Sequence, residues 1–133
     1  MSSEDGLITV ASAHSVKDTL DRLEASLKSA GITVFARIDH AGGAKSVGMD
    51  LRPTEVLIFG NPKAGTPLMQ ASQSIGLDLP LKVLAWQDAV GKTWLTHSDM
   101  ARLARRYGLG AETAGAVAAL AQALAKLTAA AAG

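Results

Sequence analysis

The sequence predicts an α+β fold: one two-layer domain with a mixed, mostly antiparallel sheet and helices packed on one face. Three observations carry this expectation. Apolar residues recur at spacings of three and four in two long stretches, which is helical periodicity. Short β-branched runs separate them, which is strand chemistry. Leu79 to Trp86 is followed, across the turn Asp88-Ala89-Val90-Gly91, by Thr93 to His97. That is a hairpin, and it argues against a purely parallel sheet.

The elements follow in order. Residues 1–5 read as a polar tail, and Leu7 to Ser12 as a first strand. Ser15 with Asp18 three residues on resembles a capping box. Val16, Leu20, Leu23, Leu27 and Ala30 then make one helical stripe, stopped by Gly31. Ile32 to His40 is a second strand, with Ile32, Val34, Ala36, Ile38 and His40 on one face and Thr33, Phe35, Arg37 and Asp39 on the other. Ala41 to Pro53 reads as a loop with a helical turn near Ala44–Val47 and a short edge strand at Met49–Arg52. Val56 to Phe59 is apolar on both faces, so it belongs inside the sheet. Thr66 as N-cap and Pro67 at the first helical position start a helix that runs to Ile75. Ser98 caps a helix with Met100, Leu103 and Tyr107 inward. Val117, Leu120, Leu124 and Leu127 mark a last helix, and its alanine-rich end frays. The expected domain is 6–128, with flexible tails at 1–5 and 129–133.

Composition narrows the function. A chain of 133 residues with 48% hydrophobic and 19% charged content is globular and long enough to bury a core. A net charge of +1 gives no global attraction to nucleic acid or anionic membrane. Arg102, Arg105 and Arg106 read as a solvated helix face, without the interleaved aromatics of a nucleic-acid surface. The absence of cysteine excludes disulfides, thiolate catalysis and cysteine-ligated metal sites. His14, His40 and His97 have no ligand spacing, so no metal site is expected, and no cofactor is named. No signal segment is expected at the N-terminus. Gln122 and Lys126 interrupt the alanine-rich end, which is not expected to span a bilayer. A cytoplasmic protein is the expectation.

Two places carry possible chemistry. Gly60-Asn61-Pro62-Lys63-Ala64-Gly65-Thr66 joins a strand to a helix in a Gly-x4-Gly frame. It lacks the Gly-Lys-Thr end of a phosphate loop, and two prolines remove N–H donors. Nucleotide hydrolysis is therefore not expected. Asp39-His40 ends the second strand, where His40 is a candidate general acid or base. The two places are expected to meet in one pocket. It would be lined by His40, Asn61, Lys63, Thr66 and Met69, supported by Asp39, and would take a small polar or anionic molecule. An enzyme using His40, and an interaction module whose residues are all structural, are the alternatives. No complete catalytic motif is present. Trp86 and Trp94 lie on neighbouring strands, as core packing or as a stacking platform.

Several runs resemble a known family. They are Ile38-Asp39-His40-Ala41, Leu51-Arg52-Pro53, Ile58-Phe59-Gly60-Asn61-Pro62, Gly65-Thr66-Pro67-Leu68-Met69 and Asp78-Leu79-Pro80-Leu81, in this order. Together with Gly6-Leu7 and Trp86 they resemble the domain of unknown function 302 family, over roughly Gly6 to Tyr107. The resemblance implies a compact α+β fold and a homodimer. It implies no reaction. Gly42-Gly43 and the alanine-rich last helix depart from the family pattern.

Overall fold

The computed structural model describes residues 5–133, so the expected N-terminal tail lies, apart from Asp5, outside the described residues. Five strands and five helices follow one another: β1 Leu7–Ser12, α1 Val16–Ser29, β2 Thr33–Asp39, α2 His40–Ser46, β3 Thr54–Gly60, α3 Pro62–Ala71, β4 Leu81–Gln87, β5 Thr93–Ser98, α4 Met100–Arg106 and α5 Ala114–Ala132. Short 3-10 turns occupy Gln73–Leu77 and Ala111–Thr113. The α+β class is as the sequence predicts.

The sheet order is β1-β5-β4-β3-β2, and every neighbouring pair is antiparallel. The expected mixed sheet is thus corrected. β1 and β2 run in the same direction through the α1 crossover, but three strands separate them. The crossover never becomes a parallel pair. Val56–Phe59 lies in β3, which is interior as expected, while β4 holds the middle.

Helix α1 forms where its stripe and caps require. The Ser15 side chain accepts from the Asp18 N–H, and Gly31 takes the left-handed conformation after the last turn (φ 73°). Leu20, Leu23 and Leu27 are fully buried, facing Leu57 and Phe59 of β3, Val83 and Ala85 of β4 and Leu95 of β5 in one core. Val117, Leu120 and Leu124 bring α5 into the same core. Helix α4 is capped by Asp99, whose carboxylate accepts from Ala101 and Arg102, rather than by Ser98.

Three further expectations are corrected. The register of β2 shifts between Val34 and Ala36. This bulge reverses the alternation, as an extra residue must. Ala36 and Ile38 turn away from the helices, and Arg37, opposite Leu57, turns toward them. Residues 129–132 are not a frayed tail. α5 runs through Ala132, Ala131 is buried, the Arg22 guanidinium donates to the carbonyls of Ala130 and Ala131, and the Ala13 N–H donates to Ala132. Met49–Arg52 forms no strand.

The bulge has an electrostatic consequence. Arg37 reaches Glu55 at 2.8 Å, Asp21 at 2.7 Å and Glu24 at 3.2 Å, tying the edge strand to α1. Lys17 and Arg37 hold the Asp21 carboxyl below its usual range, and Lys28 and Arg37 do the same for Glu24. Groups with depressed folded-state pKa values stabilise above their unfolded values of 3.8 and 4.5, and that stability is lost as pH falls through the folded ones. Arg37→Met is therefore expected to lower the thermal midpoint at pH 7, with the gap to wild type narrowing below pH ~4. Thermal unfolding at pH 7 and pH 3 checks this, and a pH-independent gap would contradict it.

Candidate functional site

The strand-to-helix corner is built from Asn61 and Pro62. Asn61 is the N-cap of α3, with its side-chain oxygen accepting from the Lys63 N–H at 3.0 Å. The Asn61 carbonyl accepts from Ala64 and Gly65. Pro62 takes the first helical position, where its missing N–H costs nothing. The expected helix start at Thr66-Pro67 is therefore corrected. Both lie inside α3, one turn beyond a stronger Asn-Pro start. The early N–H groups of α3 are already engaged, so an anion finds no free backbone cradle at this corner.

Beside the corner is a cleft of about 320 Å³, lined by Phe35, Gly60, Asn61, Pro62, Ala64, Gly65, Thr66, Met69, Leu79, Pro80, Leu81 and Leu120. A second lobe of about 360 Å³ shares Gly60, Asn61, Ala64, Leu81 and Leu120 with it and extends along α5 past Ala116, Ala119 and Ala123. Lys63 stands on this second lobe. The walls are mostly hydrocarbon, and the polar groups are few: the Asn61 amide, the Thr66 hydroxyl and the Lys63 amine. The glycines keep the cleft open. A Cβ on Gly60 would lie 3.3 Å from Pro80, and one on Gly65 would meet Leu79 and Met69 at 3.7 Å.

The far rim is held from α4. The Tyr107 hydroxyl donates a hydrogen bond to the Asp78 carboxylate, and Arg106 stands 4.0 Å from the same carboxylate. The bond to Asp78 raises the Tyr107 phenol pKa. The segment entering β4 is thereby fixed just before Leu79 and Pro80, whose peptide is cis.

The structure brings Asn61, Lys63, Thr66 and Met69 together but not Asp39 and His40. Asp39 pairs with Glu55 at one end of β3, whereas Gly60 ends the other. Five residues of strand separate them, about 16 Å at roughly 3.3 Å per residue. The antiparallel β2–β3 pairing is the reason: the C-terminal ends of two antiparallel neighbours, Asp39 and Gly60, lie at opposite ends of the sheet. Asp39 caps α2, its carboxylate accepting from Gly42 at 2.9 Å, and His40 is the exposed first residue of that helix. Gly42 serves this cap, since a Cβ there would lie 2.7 Å from the Asp39 carboxylate. His14 and His97 stand elsewhere, His97 buried on β5. Among the described residues no group of three His, Asp or Glu side chains is placed to share a metal ion. Trp86 and Trp94 stack on each other, with centroids 6.3 Å apart.

Phe35, Leu79, Pro80, Leu81 and Leu120 were not site candidates from sequence. Leu79–Leu81 lay in a family-like run, which was the available signal. Phe35 reaches the cleft only through the bulge, and Leu120 only through the packing of α5.

Comparison with known proteins adds the following. A family model described as "Domain of unknown function DUF302" matches residues 8–127. The chain is 55% identical over 107 residues to a protein of Brucella suis biovar 1 (strain 1330) named Fluoride-specific ion channel FluC 1, covering 80% of this chain and 42% of that protein. A like-named protein of Brucella abortus biovar 1 (strain 9-941) is 55% identical over the same length, with 40% of it covered. The chain thus spans about two-fifths of these relatives. A crystal structure of an uncharacterized conserved DUF302 protein from Bacillus stearothermophilus shares the fold, with a TM-score of 0.72 and 23% identity over 96% of this chain and 95% of that one.

Capping and binding roles of Asn61 are separable. Asn61→Ala is expected to cost about 1 kcal/mol, and Asn61→Asp, which caps equally well, only a few tenths. Urea unfolding of the two variants measures this. Equal losses would show that the amide does something other than cap.

Proposed function

This chain belongs to the DUF302 family of domains of unknown function, and from its cleft we propose a small-molecule binding module, placed in the cytoplasm, whose ligand has an apolar body and one polar or anionic end. The observation that carries the reading is the two-lobed apolar cleft between α3 and α5, with Lys63, Thr66 and Asn61 as its few polar groups. Ligand sites commonly combine apolar walls with a small number of placed polar groups. Because Asn61 already engages the first N–H groups of α3, the Lys63 ammonium is the feature that would favour a negative end. His40 has no part in this reading, because it stands at the opposite end of the sheet.

Calorimetry with decanoate and decanol tests it. Wild type is expected to bind decanoate more tightly than decanol. Leu120→Trp, which fills the space shared by both lobes, should abolish both. Lys63→Ala should weaken decanoate by about 3- to 10-fold, a charge-assisted contact of about 1 kcal/mol, and leave decanol unchanged. His40→Ala should match wild type. Undiminished binding by a folded Leu120→Trp variant would sink the proposal.

The relatives motivate a second reading, in which this stretch is the accessory part of a channel protein and ion conduction belongs to the remaining three-fifths of those relatives. Ala111–Ala132 is long and apolar enough to cross a membrane by length and composition. Yet Val117, Leu120, Leu124 and Ala131 of that helix are built into the core or buried against neighbouring elements. Withdrawing the helix into lipid would open the core. Liposomes loaded with fluoride and reconstituted with this chain are expected to release none above empty controls on a fluoride electrode. Release would overturn the accessory reading.

A further inference from the structure

The two lobes of the cleft are not equivalent. The α3 lobe has no charged residue in its lining, and its polar groups, Asn61 and Thr66, are exposed at the rim. Its inner wall is apolar: Met69 and Leu79 are half-buried, and Leu120 is buried. The α5 lobe has one charged lining residue, Lys63, among apolar neighbours such as Ile32, Ala119 and Ala123. No carboxylate of the described residues forms an ion pair with Lys63. The lobes meet at Gly60, Asn61, Ala64, Leu81 and Leu120.

Met69 is flanked by two glycines. A Cβ on Gly76 would lie 3.3 Å from its sulfur, and one on Gly65 would lie 3.7 Å from its terminal methyl. The thioether fills the space that larger residues at those positions would take, and its methyl end faces Gly65, which lines the α3 lobe. An unbranched thioether adapts its rotamer to what abuts it.

We infer, resting on the cleft as the ligand site proposed above, that the ligand is a straight-chain carboxylate. Its headgroup lies in the α5 lobe beside Lys63 and its tail in the α3 lobe, where Met69 limits the chain length. Charge sets the direction. A charge-assisted contact is about twice as strong as a neutral one, and the cation belongs to the α5 lobe. A carboxylate in the α3 lobe would face hydrocarbon, with only neutral polar groups at the rim. Flexibility sets the class, since an alkyl chain follows two lobes through one junction without matching a fixed angle. Volume sets the length. A dry cavity of about 150 Å³ admits benzene. The α3 lobe, at about 320 Å³, takes a tail of roughly ten carbons on that scale. The α5 lobe then holds the carboxylate and the first few methylenes.

Calorimetry of the whole chain with carboxylates from octanoate to octadecanoate tests it. Affinity should rise about 4-fold per methylene. It should level off near about fourteen carbons, where the tail reaches Met69. Met69→Ala should move that break about two carbons longer, into the space the thioether leaves. Gly65→Ala, a change that favours the helix, should narrow the lobe and move the break about one carbon shorter. Ala119→Leu, in the α5 lobe, should weaken every length alike and leave the break in place. Should Met69→Ala fail to fold, the shift from Gly65→Ala decides. Wild-type binding with a break that ignores both substitutions overturns the inference and leaves the cleft as the binding site. So does a break moved by Ala119→Leu alone, which would reverse the ligand. No binding at any length overturns the cleft as a ligand site, and this inference with it.

Discussion

Leu20, Leu23 and Leu27 press α1 onto the middle of the sheet, and the rest of the architecture answers to that contact. Each is fully buried, and such burial stabilises by about 1.5–3 kcal/mol per side chain. The crossover that delivers this helix must span the sheet, so β1 and β2 become its two edges. The three later strands fill the gap between them, each antiparallel to its neighbours. α5 then closes the helical layer beside α1, its C-terminal carbonyls bound by Arg22 and Ala13. One face of the sheet is sealed by this arrangement, and the other is left to the indoles and aliphatic side chains.

The bulge in β2 links that scaffold to both faces of the sheet. It sends Arg37 to the helix side, where three carboxylates compensate it, and it sends Ile38 to the open side. The same irregularity frees Phe35 to lie beside Gly60 at the mouth of the cleft. A single inserted residue thus serves the edge ion network, the open face and the cleft. The Asn61-Pro62 corner and the Tyr107–Asp78 bond hold the cleft from opposite sides. A cavity between such fixed walls is largely pre-formed, which lowers the ordering cost of binding.

Much of the fold was legible because its signals are local. The Ser15 cap, the leucine stripe of α1, the turn before β5 and the apolar run of β3 each act over a few residues. Thr66-Pro67 misled for the same reason: it is a valid start signal, but Asn61-Pro62 precedes it by one turn and engages the N–H groups first. The alanine-rich end reads as fraying because alanine alone carries no packing signal, yet Arg22, more than a hundred residues away, caps it.

The sequence by itself determined most of the elements, the α+β class and the family, along with Asn61, Lys63, Thr66 and Met69 as neighbours, since all four lie within one loop and one helix. Only the tertiary structure decided that Asp39 and His40 stand at the other end of the sheet, that Leu120 and Phe35 complete the cleft, and which side chains of the strands face the helices. The physical reason is one of range. Periodicity and caps report interactions between residues a few positions apart, whereas strand register, a bulge and the docking of α5 are settled by contacts between residues distant in the chain.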